Sequence, residues 1–442
     1  MFNIRKVFST VMLSLSVFLL FYLINKFELK IEGLNNKDII LYYTITLSLI
    51  FLSVISFFFN KKYKDYFIII ISSIIVTLYL YEGYLNLNLL KVRENKTKIK
   101  LYEEKTGKKY DTRTRLEFYE DSKKLEPNIS VAYGTSNFLN KHISMFPLSG
   151  ISNSKTIYGN ENGYYSIYNS DRYGFNNPDD EWDSKITEYL IIGDSFAHGA
   201  AVNRPHDISS VLRLLSKKTV LNLGFSGNGP LSGYASLREY LKPNTNKIIW
   251  LYYEGNDLVN LEWELSNKIL KKYYDDLTFS QNLQLNQKKI DEIVKKEIKE
   301  HQKLKKIATN GNNKKEILSK IKFFLKLTKL RSTLITKTRP LDEFTRILNL
   351  TKNLALKNNS TLYLVYLPTY ARYKKNINDK NYNYIKNISK ELNIDFIDIN
   401  EKLFLKEKNP LIYFPFEFYG HYNIKGYKKI SEIIYNHTIN KN

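Results

Sequence analysis

The sequence contains no cysteine among its 442 residues. Disulfide bonds, thiolate metal sites and a cysteine nucleophile are therefore excluded. Histidine is also scarce, and the six histidines form neither an HExxH motif nor a cluster with metal-ligand spacing. We expect no dedicated metal site, and the chemistry predicted below requires no organic cofactor.

Arginine is rare for a chain with a formal net charge of +23, because only 12 of its 67 basic residues are arginine. The lysines are spread evenly and accompany abundant asparagine, isoleucine and tyrosine, a bias typical of an AT-rich genome. Nucleic-acid recognition relies on arginine and on concentrated basic patches. We therefore expect no nucleic-acid partner.

Three long apolar segments without charged residues open the chain: Val7 to Asn25, Ile39 to Asn60, and Tyr66 to Tyr81. About 20 such residues are needed to cross a bilayer. The third segment is slightly short, but the apolar stretch from Gly83 to Leu90 lengthens it and leaves Glu82 near the interface. Residues 1–90 are thus predicted to be a membrane anchor of three transmembrane helices.

Basic residues indicate how these helices are oriented. They precede the first span and fill the short connection between the second and the third, and both places belong on the cytoplasmic side. The loop from Lys26 to Asp38 also holds three lysines, which weakens this signal. The prediction is a multi-pass protein of a bacterial cytoplasmic membrane, with everything after the third span outside the cytoplasm. The basic residues concerned are Arg5, Lys6, Lys61, Lys62 and Lys64.

Short apolar runs alternate with helical periods in the second half of the chain, which predicts an α/β fold with a doubly wound, mainly parallel sheet of flavodoxin-like type. The strand candidates are Tyr189 to Ile192, Val220 to Leu223, Ile248 to Tyr253, Leu362 to Leu367 and Phe396 to Ile399. The helix candidates are Ile208 to Leu215, Leu231 to Leu241, Phe344 to Leu356, Tyr384 to Leu392 and Ile424 to Tyr435. This domain is predicted to cover residues 184–442.

Two further regions lack strand signals. Residues 91–183 are predicted to be a charged connector followed by an irregular, ordered lead-in. Residues 261–337 are rich in Lys, Glu, Gln and Leu and are predicted to be a helical insertion. A solvated amphipathic excursion is the default interpretation of this insertion, and a lid or partner-docking arm is the functional one.

Small polar clusters follow the first three strands, and a fourth precedes the last helix. They are "GDS" at residues 193–195, "NLGFSGNGP" at 222–230, "YYEGNDL" at 252–258 and "YGHYNIKGY" at 419–427. "GDS" alone would suit an ordinary turn in which Asp194 or Ser195 caps a helix. Four blocks in this order, however, can converge at the carboxyl edge of one parallel sheet.

This ordered set resembles the SGNH, or GDSL-type, hydrolases. The phrases "SDRYGFNNPD" and "IGDSFAHGAAV" also look like a membrane-anchored bacterial branch of that superfamily, and the chain is more distantly similar to SGNH-like proteins of alginate acetylation and D-alanylation. Acyl transfer needs an activated hydroxyl and a base, for which Ser195 and His421 are the candidates. The resemblance implies an oxyanion hole made of the backbone N–H groups of Ser195 and Gly227 and the side-chain amide of Asn256.

The chain departs from the family pattern in two places. Family members usually carry an aspartate two or three residues before the histidine, where this chain has Tyr419 and Phe418, and "EGN" at 254–256 shifts the glycine of the third block by one position. An orienting acid therefore has to come from elsewhere. The candidates are Glu417, Asp257 and Asp398, and a backbone carbonyl or a Ser-His dyad are the alternatives.

The sequence thus predicts a membrane-anchored serine esterase or O-acyltransferase that acts on acyl esters, in the first instance acetyl esters, of cell-surface glycans. Its partners would be the membrane, an acylated glycan or lipid-linked sugar, and, for transfer, a membrane protein that donates the acyl group. A lipase or lysophospholipase is one alternative. The other is a catalytically reduced scaffold of a glycan-assembly complex, which the missing aspartate favours.

Overall fold

The computed structural model describes residues 4–27, 36–87, 89–309, 314–330, 340–374 and 379–439. The chain divides into two compact units. One contains Met1–Lys91 together with Ile307–Thr338, and the other contains Val92–Lys306 together with Arg339–Asn442. The predicted insertion is therefore shared between the two units.

The first unit contains three long apolar helices: α1 (Ile4–Phe27), α2 (Asn36–Phe58) and α3 (Lys61–Asn86). Their spans Val7–Asn25, Ile39–Phe58 and Lys61–Asn86 are long and apolar enough to cross a membrane. Glu82 does not end the third helix, because α3 continues through it to Asn86. The three predicted spans are thus present as helices.

The N-terminal part of the second unit contains two helices and a small sheet, where the sequence predicts a charged connector and an irregular lead-in. The first of these helices starts at residues 89–91, which are grouped with the first unit. The helices are α4 (Leu89–Thr106) and α5 (Arg115–Leu125), and the strands are β1 (Ser130–Val131), β2 (Lys155–Asn160) and β3 (Tyr165–Asn169). Strand β2 pairs in parallel with β1 and antiparallel with β3. The Thr114 side chain and Glu117 form a capping box that starts α5 within this charged stretch.

A five-stranded parallel sheet forms the centre of the second unit, as the sequence predicts. Its strands are β4 (Thr187–Gly193), β5 (Val220–Asn222), β6 (Thr245–Tyr253), β7 (Thr361–Leu367) and β8 (Asp395–Asp398). Their order is β5-β4-β6-β7-β8, and every neighbouring pair is parallel. This is the flavodoxin-like order 2-1-3-4-5, in which the chain reverses its direction of winding between β4 and β6. The predicted fold class is confirmed.

Helices cover both faces of this sheet. In chain order, the helices that follow β4 are α6 (Ser195–His198), α7 (Ile208–Ser216), α8 (Pro230–Tyr240), α9 (Asp257–Glu264), α10 (Lys268–Asp275), α11 (Gln287–Thr309), α12 (Lys314–Leu325), α13 (Leu341–Lys357), α14 (Tyr370–Lys374), α15 (Lys380–Glu391), α16 (Ile399–Lys402) and α17 (Ile424–Ile439). Of these, α12 belongs to the first unit and does not form part of the layers around this sheet. Alternating residues of β4 enter opposite cores, with Leu190 and Ile192 in one and Tyr189 and Ile191 in the other. A strand buried on both faces explains the uninterrupted apolar run.

The first long helix of the insertion is not a solvated excursion. Ile290, Val294 and Ile298 of α11 lie one turn apart and are buried in the main core. Asp291 accepts hydrogen bonds from the backbone N–H and the hydroxyl of Ser152, at 2.9 and 2.6 Å. An amphipathic helix buries its apolar stripe when a partner surface is available, and the lead-in and core supply that surface here.

Candidate active site

Ser195 lies at the carboxyl edge of the parallel sheet, at the point where the winding reverses. β4 ends at Gly193, and Asp194 caps the short helix α6 by accepting a hydrogen bond from the backbone N–H of Phe196 at 2.8 Å. Ser195 is the first residue of α6 and is mostly buried. The strand-to-helix turn thus presents the hydroxyl where open α/β sheets bind their ligands.

His421 reaches this hydroxyl from the other end of the sequence. Its Nε2 atom lies 2.8 Å from Ser195 Oγ. The ring packs against Phe196, with ring centroids 4.7 Å apart. Asn423, two residues on, accepts a hydrogen bond from the backbone N–H of Gly426 at the start of α17. The structure therefore brings together the two side chains for which the sequence predicts nucleophile and base.

The third side chain of the constellation is Glu161, which the sequence analysis did not nominate. Its Oε1 atom lies 2.8 Å from His421 Nδ1, and its Oε2 atom accepts the backbone N–H of His421 at 2.7 Å. With a carboxylate at Nδ1, the proton of the neutral ring belongs on Nδ1, and Nε2 is left to accept the hydroxyl proton of Ser195. This is the tautomer that a general base requires.

The structure places the three nominated acids elsewhere, so this part of the sequence prediction is corrected. Glu417 accepts a hydrogen bond from the amide of Asn409 at 3.1 Å, with its backbone in the left-handed region at φ +62°. Asp257 is buried and accepts the backbone N–H of Tyr253 at 2.9 Å. Asp398 caps α16 and accepts the hydroxyl of Tyr382 at 2.6 Å. Each of these carboxylates accepts a hydrogen bond from a donor in its own surroundings, and none of them bonds to His421.

Glu161 stands on the turn between β2 and β3, and this turn is held by side-chain amides. Asn160 accepts the backbone N–H of Gly163 at 2.9 Å and donates to the carbonyl of Asp111 at 2.8 Å. Asn162 donates to the carbonyl of Ala201, just beyond α6, at 2.8 Å. The hairpin is thereby bonded directly to the segment that follows Ser195 and α6.

The charges of the pair are mutually dependent. Burial lowers the pKa of His421, but attraction to Glu161 and the hydrogen bond between them outweigh burial, so the pKa of His421 is raised. Burial likewise raises the pKa of Glu161, but His421 and its hydrogen bonds outweigh that effect, and the pKa of Glu161 is lowered. The carboxylate therefore stabilises the imidazolium that forms when the histidine accepts a proton.

The two other oxyanion candidates lie on the neighbouring loops. Asn256 precedes α9. Burial raises the pKa of the carboxyl of Asp194, the residue before Ser195, and the side-chain amide of Asn256 is close enough to lower that pKa in part. Gly227 has a φ of +82°, and a Cβ atom there would lie 2.7 Å from Ser136 Oγ, so this loop conformation favours glycine.

Two interacting carboxylates are buried near Ser195. Asp194 and Asp257 are both buried, and burial raises the pKa of each, while repulsion from Asp194 raises that of Asp257 further. His198 lies on the other side and stacks on Tyr158 at 5.0 Å; burial lowers its pKa to about 4. His198 is thus a neutral packing residue beside the site. Within the described residues, no group of three or more His, Asp or Glu side chains could hold a metal ion.

Sequence reasoning missed Glu161 because it lies 260 residues before His421. The available signal was Asn162-Gly163, a typical hairpin dipeptide, between two runs rich in β-branched and aromatic residues. A carboxylate on such a turn is a reasonable candidate for a sheet-edge site. The turn's position relative to His421, however, depends on tertiary structure alone.

The open α/β fold and the Ser-His-Glu chain of contacts define an arrangement of the kind that serine hydrolases use. No protein-family model and no curated protein matches this sequence. Among solved structures it is similar to a protein described as lipolytic, of the G-D-S-L family, from Desulfitobacterium hafniense DCB-2. That match has 16% identity and a TM-score of 0.32, and it covers 57% of this chain and 98% of the other.

A second similar structure is the psychrotrophic esterase EstA from Pseudoalteromonas sp., inhibited by monoethylphosphonate. Here the identity is 12% and the TM-score 0.28, with 58% of this chain and 97% of that chain covered. Neither match by itself assigns a function to this chain.

Proposed function

We propose that this protein is a membrane-anchored serine esterase or O-acyltransferase that acts through Ser195, His421 and Glu161. The observation that carries the proposal is the pair of 2.8 Å contacts, Ser195 Oγ to His421 Nε2 and His421 Nδ1 to Glu161 Oε1. These residues come from three distant parts of the chain. Their alignment in hydrogen-bonding order is what nucleophilic acyl transfer requires.

The reaction proceeds in two halves. Ser195 Oγ attacks the acyl carbonyl while His421 Nε2 takes the hydroxyl proton, and the same proton then passes to the departing alcohol. The acyl group is now an ester of Ser195. Water or an acceptor hydroxyl attacks this ester, gives its proton to His421, and the proton returns to Ser195 as the acyl group leaves. Hydrolysis and transfer use the same side chains and differ in the acceptor.

Charge that develops on the carbonyl oxygen needs donors that are already in place. The proposed donors are the backbone N–H groups of Ser195 and Gly227 and the side-chain amide of Asn256. The effect of Asn256 on the pKa of Asp194 supports this role, because an amide favours a nearby carboxylate through its N–H groups. Glu161 supplies the orienting carboxylate whose absence favoured a scaffold, so it removes the main argument for that alternative.

The proposed substrates are acyl esters of cell-surface glycans, with acetyl esters first, either on the polysaccharide or on a lipid-linked sugar. For transfer, a membrane protein would donate the acyl group. The predicted three-span anchor supports a membrane-bound substrate, and the basic residues beside the spans support a catalytic domain outside the cytoplasm. Alkaline phosphatase fused after Asn128 should be active in a Gram-negative host, and an inactive fusion would contradict this orientation.

The decisive test is covalent labelling of the full-length protein with a fluorophosphonate probe. The wild type and Ser266→Ala, which removes an exposed serine of the same domain, should both be labelled. Ser195→Ala should not be labelled, and acetate release from acetylated cell-surface polysaccharide should stop with it. Labelling that persists in Ser195→Ala, or wild-type protein that is never labelled, would refute the mechanism.

A further inference from the structure

Helix α12 belongs to the insertion, yet it packs on the last turns of the third candidate membrane span. Tyr79 of α3 donates its hydroxyl proton to the carbonyl of Leu325 at 2.9 Å. Its ring lies 5.6 Å from that of Phe324, and Phe324 also covers Gly83. The chain thus leaves the second unit, which contains the parallel sheet and is called the α/β unit below, after α11. It then contributes α12 to the first unit.

A buried carboxylate holds the segment that follows α12. Glu82 lies on α3, is almost fully buried, and accepts the backbone N–H groups of Lys329 and Leu330 at 3.0 and 2.8 Å. The amide of Asn86 donates to the same carboxylate at 3.0 Å. A buried charge in apolar surroundings is tolerated only with such donors. Glu82 therefore fixes this segment at the C-terminal end of the span.

The outer face of α12 carries an apolar strip. Leu318, Ile321 and Leu325 are 63%, 47% and 59% exposed. Their spacing of three and four residues places them on one side of the helix. Phe324 on one flank faces α3, and Lys322 is exposed on the other flank, with the exposed Lys326 directly after the helix.

Helix α3 has the same character over these turns, since it leaves Leu80 and Tyr84 exposed, and Leu87, directly after the helix, is exposed as well. Apolar surface therefore continues from the span onto α12. We propose that α12 is an interfacial membrane helix, whose apolar strip enters the acyl chains of the leaflet at the C-terminal end of α3 while its lysines reach the phosphate headgroups. Helices at a membrane surface combine these two features.

The lipid leaflet is favoured over a partner protein by this continuity. A helix that packs on the end of a membrane span lies at the depth where headgroups meet acyl chains, and lipid already covers the neighbouring face of such a span. The cationic flank also suits anionic phospholipid. The inference depends on the predicted membrane spans and not on the proposed chemistry. A failure of the Ser195 mechanism would therefore leave it unaffected.

The absence of cysteine makes the test direct, because a single introduced cysteine is the only labelling site. Nitroxide labels would be placed at Leu318→Cys and Ile321→Cys in the full-length protein. Two controls are Phe323→Cys, an exposed residue roughly 140° around α12 from Leu318 at about 100° per residue, and Leu285→Cys, an apolar residue of the α/β unit that is 87% exposed. The protein would be reconstituted in nanodiscs of phosphatidylcholine and phosphatidylglycerol.

Accessibility to oxygen, which concentrates in lipid, is then compared with accessibility to a water-soluble nickel chelate. Leu318 and Ile321 should show a severalfold higher oxygen-to-nickel ratio than Leu285, with Phe323 in between. Equal ratios at Leu318, Ile321 and Leu285 would mean that α12 faces water. Exclusion of both reagents at Leu318 and Ile321 would mean that protein covers the strip. Either result would overturn the proposal.

Discussion

The two sheets of the α/β unit contribute to the site in different ways. The five-stranded sheet presents Ser195 and Asn256 on turns that directly follow strands buried on both faces. The three-stranded sheet presents Glu161 on a hairpin turn held by asparagine amides. The position of Ser195 is thus fixed by the core, whereas the position of Glu161 depends on a few polar contacts. Substitutions in the first region should abolish the reaction, whereas substitutions in the second should lower its rate by smaller, graded factors.

The largest effect should come from His421, which contacts both regions. We expect His421→Ala to lower the rate of ester hydrolysis by about 10⁴- to 10⁶-fold. Residues that act as one catalytic unit are not additive, so the loss of the histidine alone costs nearly as much as the loss of all three side chains. The matched control is His437→Ala, because His437 also pairs with a carboxylate, Asp395, at 2.9 Å. Its rate should stay near that of the wild type, measured with a chromogenic acetyl ester. Equal losses in both variants would point to misfolding instead of lost catalysis.

Glu161→Gln should have the next largest effect. We expect kcat/KM to fall by about 10²- to 10⁴-fold, because the amide cannot stabilise the imidazolium. Glu417→Gln removes the acid that lies four residues before His421 and should leave kcat/KM close to the wild-type value. A full loss in Glu417→Gln with none in Glu161→Gln would show that the hairpin does not take part.

The same variant changes the pH dependence. The base must be neutral to act, and Glu161 raises the pKa of His421, so activity should fall with decreasing pH through a pKa above the ordinary value of about 6.5. Without the charge of Glu161, protonation of His421 requires a lower pH. The acid limb of the kcat/KM profile should therefore move to lower pH in Glu161→Gln, although the maximum rate is smaller. A limb that stays in place would exclude a direct charge contact.

A smaller change tests how closely Glu161 on the hairpin must approach His421. A Cβ atom at Gly420 would lie 2.7 Å from Glu161 Oε2, so Gly420→Ala should push the carboxylate away from His421. Misplacement of about 1 Å can cost up to about 10²-fold in rate, and we expect a loss in kcat within that limit. The control is Gly159→Ala on β2, where an added Cβ meets nothing within 4 Å. An unchanged rate in Gly420→Ala would show that the acid tolerates displacement.

The same division explains what could be predicted from the sequence. The runs at β4 and β6 are apolar because both faces are buried, and the residues that follow them must lie at the sheet edge whatever the rest of the fold. Ser195 and Asn256 could therefore be placed from local pattern alone. His421 also required the resemblance, because nothing within its own segment shows that the loop before α17 reaches Ser195.

Glu161 and helix α4 could not be placed in this way. β2 and β3 are short, and their turn carries ordinary hairpin residues, so nothing local links them to a histidine 260 residues away. Helix α4 is dense in charge and contributes few side chains to a core, so its periodicity is weak. Both elements are positioned by their tertiary contacts, and a short stretch of sequence carries no information about such contacts.

Helix α4 itself provides the smallest expected effect. The ring of Tyr102 covers Gly163 on the hairpin and lies 6.2 Å from the ring of Phe416 in the segment before His421. Lys98, one turn earlier, donates to the carbonyl of Tyr419 at 3.2 Å. One helix therefore contacts both the turn that carries the acid and the loop that carries the base, which makes Tyr102 a positioning residue.

Tyr102→Ala should lower kcat by less than the roughly 10²-fold limit for a 1 Å displacement and should shift the acid limb of the pH profile downward, as Glu161→Gln does. Tyr102→Phe keeps the ring and should behave like the wild type. A merely structural residue would lower the melting temperature without moving the pH limb. Because α4 follows the third span directly in sequence, a shifted limb would show that the charge on the catalytic base depends on the segment next to the membrane anchor.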